Sequence, residues 1–167
     1  MTENNSCNVL VLCTGNSARS ILCEALINHH GKGKFCAYSA GSFPTGKVNP
    51  YALRLLQNMN IAVDNPRSKS WDEFAMPGAP LLDFIITVCD NAAGEVCPIW
   101  PGHPITAHWG VPDPAHVEGS DEDKMRAFRE AFMTLDARVR LFVALPIASL
   151  DHLQLKQHMT NIGTVMA

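Results

Sequence analysis

The sequence predicts an α/β sandwich around a mostly parallel sheet, and three observations predict it. Asn8-Val9-Leu10-Val11-Leu12-Cys13 is a continuous apolar run, as expected of a strand buried on both faces. Leu82 through Cys89 is a second apolar stretch and the strongest strand signal in the chain. Between and after them apolar residues recur at helical spacing, so strands alternate with helices, the pattern of parallel strands joined by crossovers.

Each element follows in order. After the first run, Thr14 to Ser17 is a small polar turn; from Arg19, Leu22, Ala25 and Leu26 fall at helical spacing until Gly31 ends the segment. Lys34–Tyr38 reads as a second strand, closing on Ser39-Ala40-Gly41. Asn49 supplies an N-cap and Pro50 the first helical position of a helix with Leu53, Leu56 and Met59 on one face. Ser70-Trp71-Asp72-Glu73 has capping-box form and opens a short helix, and Met76–Pro80 is a loop. A loop follows Cys89, with a short strand near Ile105–Ala107. Ser120-Asp121-Glu122-Asp123 then caps a long helix carrying Phe128, Phe132, Leu135, Val139 and Phe142 on one face, and a last helix follows Ser149.

Bulk properties exclude several classes. With 167 residues, 47% of them hydrophobic, and a mean hydropathy of +0.01, the chain buries a core without staples and is not a membrane protein. The first residues carry no basic stretch followed by an apolar one, so a cytoplasmic location is expected. A net charge of −3 argues against a nucleic-acid partner. Six cysteines in a reducing compartment are not a disulfide scaffold, and neither Cys-x-x-Cys nor zinc spacing occurs, so no metal is expected. Cys7, Cys23 and Cys36 read as packing residues, and His29-His30 as a helix end. His103, His108 and His116 are dispersed and read as bland polar residues; Gly31–Lys34 is a turn.

The chemistry sits in Cys13-Thr14-Gly15-Asn16-Ser17-Ala18-Arg19-Ser20. A Cys at a strand end, a turn and a helix start present backbone N–H groups to an anion, helped by the helix dipole. Gly15 permits close approach, and the planar fork of Arg19 suits two oxygens of a tetrahedral oxyanion. That positive setting is expected to lower the Cys13 pKa and yield the nucleophilic thiolate. Ser20 is expected to donate to the sulfur and Asn16 to brace the loop. All of Thr14 to Ser20 are candidate oxyanion-binding residues, and no nucleotide pattern is present.

These residues resemble the low-molecular-weight protein tyrosine phosphatases, whose loop is Cys, five residues, then Arg-Ser/Thr. The resemblance covers most of residues 8–145. It implies a phosphotyrosine phosphatase I-like three-layer sandwich with a four-stranded parallel sheet of order 2-1-3-4. The domain expected is single, 1–167, with 146–167 as a helical tail. It also implies a general acid on a later loop, for which Asp113 of Trp109-Gly110-Val111-Pro112-Asp113-Pro114 is the candidate.

Cys89 separates two activities within this resemblance. In sheet order 2-1-3-4 the ends of the first and third strands meet, bringing a second thiol beside Cys13. A phosphatase has no use for it, whereas arsenate reduction requires a thiol to attack a Cys13–arsenic adduct. The chain looks like the arsenate reductases of this fold, with Cys97-Pro98 and His108-Trp109-Gly110 also matching. This implies Cys13, Arg19, Asp113, Cys89 and Cys97 as catalytic residues and no bound cofactor. Arsenate is the substrate, with phosphate or sulfate as competing oxyanions, and thioredoxin or glutathione/glutaredoxin the external reductant. The Cys89–Cys97 spacing is one longer than usual, and Ala18 stands where Cys is common. Some relatives bind potassium through residues matching Asn16, Glu24 and Ser39 plus an Asp; that last position falls near Lys69, so the ion is not expected. Aryl phosphate hydrolysis remains the alternative.

Overall fold

A computed structural model describes residues 6–90 and 100–167. Four strands, β1 (Cys7–Leu12), β2 (Phe35–Ala40), β3 (Phe84–Thr87) and β4 (Ile105–His108), form one sheet in the order β2-β1-β3-β4. Every pairing is parallel, with Leu12 opposite Ala40 on one side and Thr87 on the other. The central strands are apolar throughout because both faces are covered. Val9 and Val11 point into a large cluster with Ile21, Phe132 and Phe142, while Leu10 and Leu12 meet Phe74, Leu82 and Trp100 on the opposite face. Those two faces make three layers.

The helices are α1 (Arg19–His30), α2 (Pro50–Asn58), α3 (Asp121–Val143) and α4 (His152–Ile162). In α3 the five apolar residues at helical spacing are all buried, each stabilising the fold by roughly 1.5–3 kcal/mol. Ser120 and Asp123 form a reciprocal capping box at its start. Asn49 caps α2, accepting from the Tyr51 amide at 2.9 Å, with Pro50 in the first turn. No helix among the described residues is long and apolar enough to cross a membrane.

Three local expectations are corrected. The buried face of α2 is Ala52, Leu55 and Leu56, while Leu53 and Met59 are exposed. Both sets satisfy helical spacing. The third strand stops at Thr87, so Val88 and Cys89 lie beyond it. Ser70 opens a 3₁₀ turn, Trp71–Phe74, in which Glu73 pairs with Arg67 at 3.4 Å instead of closing a capping box.

Candidate active site

Cys13 follows directly on β1, and its amide donates to Ala40 of β2 at 3.2 Å. From there the chain turns through Thr14–Ala18 into α1. The outward carbonyls of this turn are all occupied: Thr14 O accepts from the Phe43 amide, Gly15 O from Thr45 and the Ser68 hydroxyl, and Ser17 O from Asn49, at 2.9–3.1 Å. A trans peptide sets the next N–H opposite each carbonyl. With Thr14, Gly15 and Ser17 carbonyls tied to the 43–49 and 68 segments, the amides of Gly15, Asn16 and Ala18 therefore face the cleft. The Gly15 amide lowers the Cys13 pKa. Helices α2, α3 and α4 have side-chain caps, but α1 has none, leaving its first-turn amides available to an anion.

Two residues hold this turn. Asn16 is wholly buried with φ of 45°; its Nδ2 donates to Ser20 Oγ at 2.8 Å, and its Oδ1 accepts from the Lys69 amide at 2.9 Å. Ser20 thus engages Asn16, where the sequence pointed to the Cys13 sulfur. Gly41 passes so close that a Cβ would stand 2.4 Å from Thr14 O and 2.5 Å from Cys13 O. Below the turn Ser39 donates to Glu24 at 2.7 Å, and the Lys69 ammonium adds positive charge beside that carboxylate.

The two sulfurs converge. Cys13 and Cys89 are both buried and line the same cleft, and Cys89 Sγ accepts from the Thr14 amide, the residue next to Cys13, at 3.3 Å. The expected lowering of the Cys13 pKa is corrected by this convergence. The Cys89 thiol, then burial, push the Cys13 thiol above its ordinary value, and together they outweigh the pull of Arg19 and the Gly15 amide. One thiolate beside one thiol is tolerable; a second negative charge in a buried pair is not.

Across the cleft, Arg19 Nη1 donates to Val111 O at 2.9 Å and Nη2 lies 3.4 Å from Asp113 Oδ2. The same Asp113 oxygen is 3.1 Å from His116 Nε2, and Oδ1 caps the 114–116 turn through the Ala115 amide. Asp90, next to Cys89, pairs with His108 Nε2 at 2.9 Å, and Thr87 Oγ1 meets His108 Nδ1 at 2.8 Å. Cys13, Arg19, Cys89 and Asp113 all line one cleft of about 830 Å³. His116, which sequence reasoning passed over, lines it too; its three-residue distance from Asp113 was the available signal. Cys97 lies outside the described residues. Cys7 and Cys36 are half-buried and Cys23 fully buried, away from the cleft, and no group of three or more His, Cys, Asp or Glu among the described residues is placed to hold a metal ion.

A parallel 2-1-3-4 sheet whose first strand runs through a turn into the uncapped α1 defines a class of α/β fold with a site open to an anion. The chain belongs to the low molecular weight phosphotyrosine protein phosphatase family, whose model matches residues 8–157. Within that family it is similar to the arsenate reductase of Halalkalibacterium halodurans, 34% identical over 134 residues, which are 80% of this chain and 93% of the relative. The crystal structure of arsenate reductase from Archaeoglobus fulgidus superposes with a TM-score of 0.63 at 28% identity, covering 82% of this chain and 99% of that one. A thioredoxin-dependent arsenate reductase of Corynebacterium glutamicum gives 0.60 at 26% identity, covering 81% of this chain and 59% of that one.

Proposed function

We propose that this protein reduces arsenate to arsenite, and the observation that carries the reading is the convergence of two buried thiols, Cys13 and Cys89, on one cleft beside a turn of inward amides. Arsenate binds to the inward amides of residues 14–20 and to the Arg19 guanidinium, which supplies two donors to its oxygens. Cys13 passes its proton to a bound oxyanion oxygen and its sulfur attacks arsenic; one arsenic–oxygen bond breaks, and Asp113 protonates the departing oxygen, which leaves as water. Cys89 sulfur then attacks Cys13 sulfur. The sulfur–arsenic bond breaks and its electron pair stays on arsenic, which falls from the pentavalent to the trivalent state. The Cys89 proton goes to an arsenite oxygen, and a Cys13–Cys89 disulfide remains.

An external dithiol must reduce that disulfide. Thioredoxin is the reductant we favour, because the Corynebacterium glutamicum relative is thioredoxin-dependent, with glutathione and glutaredoxin as the other route. Cys97 is the proposed relay that brings the disulfide outward. Phosphate and sulfate, tetrahedral like arsenate, compete for the same turn. No prosthetic group enters the cycle, and a cytoplasmic location accords with its need for a reducing thiol pool.

Purified protein supplied with arsenate and either thioredoxin or glutaredoxin with its reductase should oxidise NADPH, and Cys89→Ser should abolish that turnover. If arsenate is left untouched in both systems while aryl phosphate is hydrolysed equally by wild type and Cys89→Ser, the protein is a phosphatase and Cys89 is incidental.

A further inference from the structure

Arg138 of α3 is a charge in the core, only 2% exposed, and it enters none of the ion pairs among the described residues. Burying a guanidinium is costly unless its donors are satisfied, so what they bind is informative. Nη1 donates to Trp109 O at 2.8 Å and to Gly110 O at 3.2 Å; Nε donates to Val165 O at 3.0 Å. Arg138 therefore ties two segments to α3. One is the last stretch of the chain, and the other leads within three residues to Asp113.

The same two segments touch along their length. Trp109 Nε1 donates to Met159 O at 2.9 Å, and the Lys156 ammonium binds Thr106 O. Gly163 lies against β4: a Cβ there would stand 2.4 Å from His108 O and 2.9 Å from the Trp109 ring. On the cleft side Arg19 holds the next carbonyl, Val111 O. Carbonyls 109, 110 and 111 are thus clamped by two arginines, Arg138 from the core and Arg19 from the cleft. The residues that complete the core-side clamp, Gly163 and Val165, lie beyond residue 157, where the family match ends.

We propose that Arg138 and the C-terminal segment 163–166 are positioning elements that fix the 109–113 loop, so that the end of the chain sets where Asp113 stands over the bound oxyanion. The inference rests on the reading of Asp113 as the proton donor. The oxyanion itself is held by residues 14–20, which the clamp does not touch except through Arg19, so loosening the clamp acts on turnover before it acts on binding.

The test uses the full chain, a chain ending at Thr164, and Arg138→Met and Arg138→Lys, with each truncation or substitution also made in Asp113→Asn. Shortening the chain and Arg138→Met should each lower kcat for arsenate by about tenfold, a part of the roughly 10²–10⁴ that a positioned acid contributes. KM and inhibition by phosphate should change little, Arg138→Lys should recover part of kcat, and in Asp113→Asn no further loss should appear. Amide exchange over 109–113 should quicken in the shortened chain. Unchanged kcat in the shortened chain, or an equal further loss in Asp113→Asn, would overturn the proposal. If the full chain does not turn over arsenate at all, the parent reading fails, and exchange over 109–113 decides alone: faster exchange supports the clamp, and unchanged exchange overturns it.

Discussion

The proposed chemistry turns on the pairing of Cys13 with Cys89. The sequence made Cys13 visible through its place before Thr14–Ala18 and Arg19, and local charge alone predicted an acidic thiol. A partner 76 positions away, the Cys89 thiol, instead pushes its pKa upward together with burial. No window of neighbouring residues contains that information. The sign gives a prediction. Because Cys89 raises the Cys13 pKa, Cys89→Ala should lower it, and each unit lowered yields about tenfold more thiolate at neutral pH. Alkylation of Cys13 by iodoacetamide, followed by peptide mass, should therefore accelerate in that variant; an unchanged or slower rate would mean the thiols do not share a proton. His116 carried only a weak signal, since an exposed histidine three residues after an aspartate becomes meaningful only when that aspartate pairs with it and with Arg19.

At the scale of elements, the anion loop is shaped by segments outside it. Phe43, Thr45, Asn49 and Ser68 occupy its carbonyls, and Gly41 admits it to the end of β2. Gly41→Ala should force the Cys13–Thr14 peptide away, costing about 1–3 kcal/mol. It should also raise the phosphate inhibition constant severalfold in a competition assay, whereas unchanged inhibition would show that the loop does not depend on this approach. Ser120→Ala, which removes one half of the α3 capping box, should cost about 1 kcal/mol in denaturant unfolding and leave phosphate binding intact. The strands and most helix boundaries were legible because caps and apolar periods are local signals, whereas the strand order was implied only by the family resemblance. Asn49, Ser120 and the spacing of Phe128 to Phe142 are where they should be. The face of α2 was not legible: Leu53, Leu56 and Met59 satisfy helical spacing as well as Ala52, Leu55 and Leu56 do, and only the packing of the folded chain selects between them. The length of β3 was overread for a similar reason. Val88 still donates to Leu12 O at 3.0 Å just past the strand, and Cys89 leaves the sheet to line the cleft.

Over the whole molecule, a half-buried carboxylate, Glu24, is hydrogen-bonded to Ser39 near the end of β2. Burial pushes the Glu24 carboxyl above its ordinary 4.5, while the Ser39 hydroxyl, Lys69 and Arg67 pull it back. The folded chain thus holds this proton more tightly than the unfolded one. The stability it contributes is complete below pH 4.5 and is lost as pH rises through the raised value. Glu24→Gln, which keeps the shape and cannot ionise, should remove that slope, so the stability of wild type relative to the variant should decline from pH 4.5 toward neutrality. Parallel curves would show that Glu24 ionises without cost to the fold.

These scales meet in one product. One round with arsenate and no added reductant, followed by alkylation and peptide mapping, reads the state of the sulfurs directly. The account predicts one arsenite released per chain, with Cys89 in a disulfide to Cys13 or passed on to Cys97. Arsenite release with every cysteine still alkylatable, or a disulfide that excludes Cys89, would contradict it.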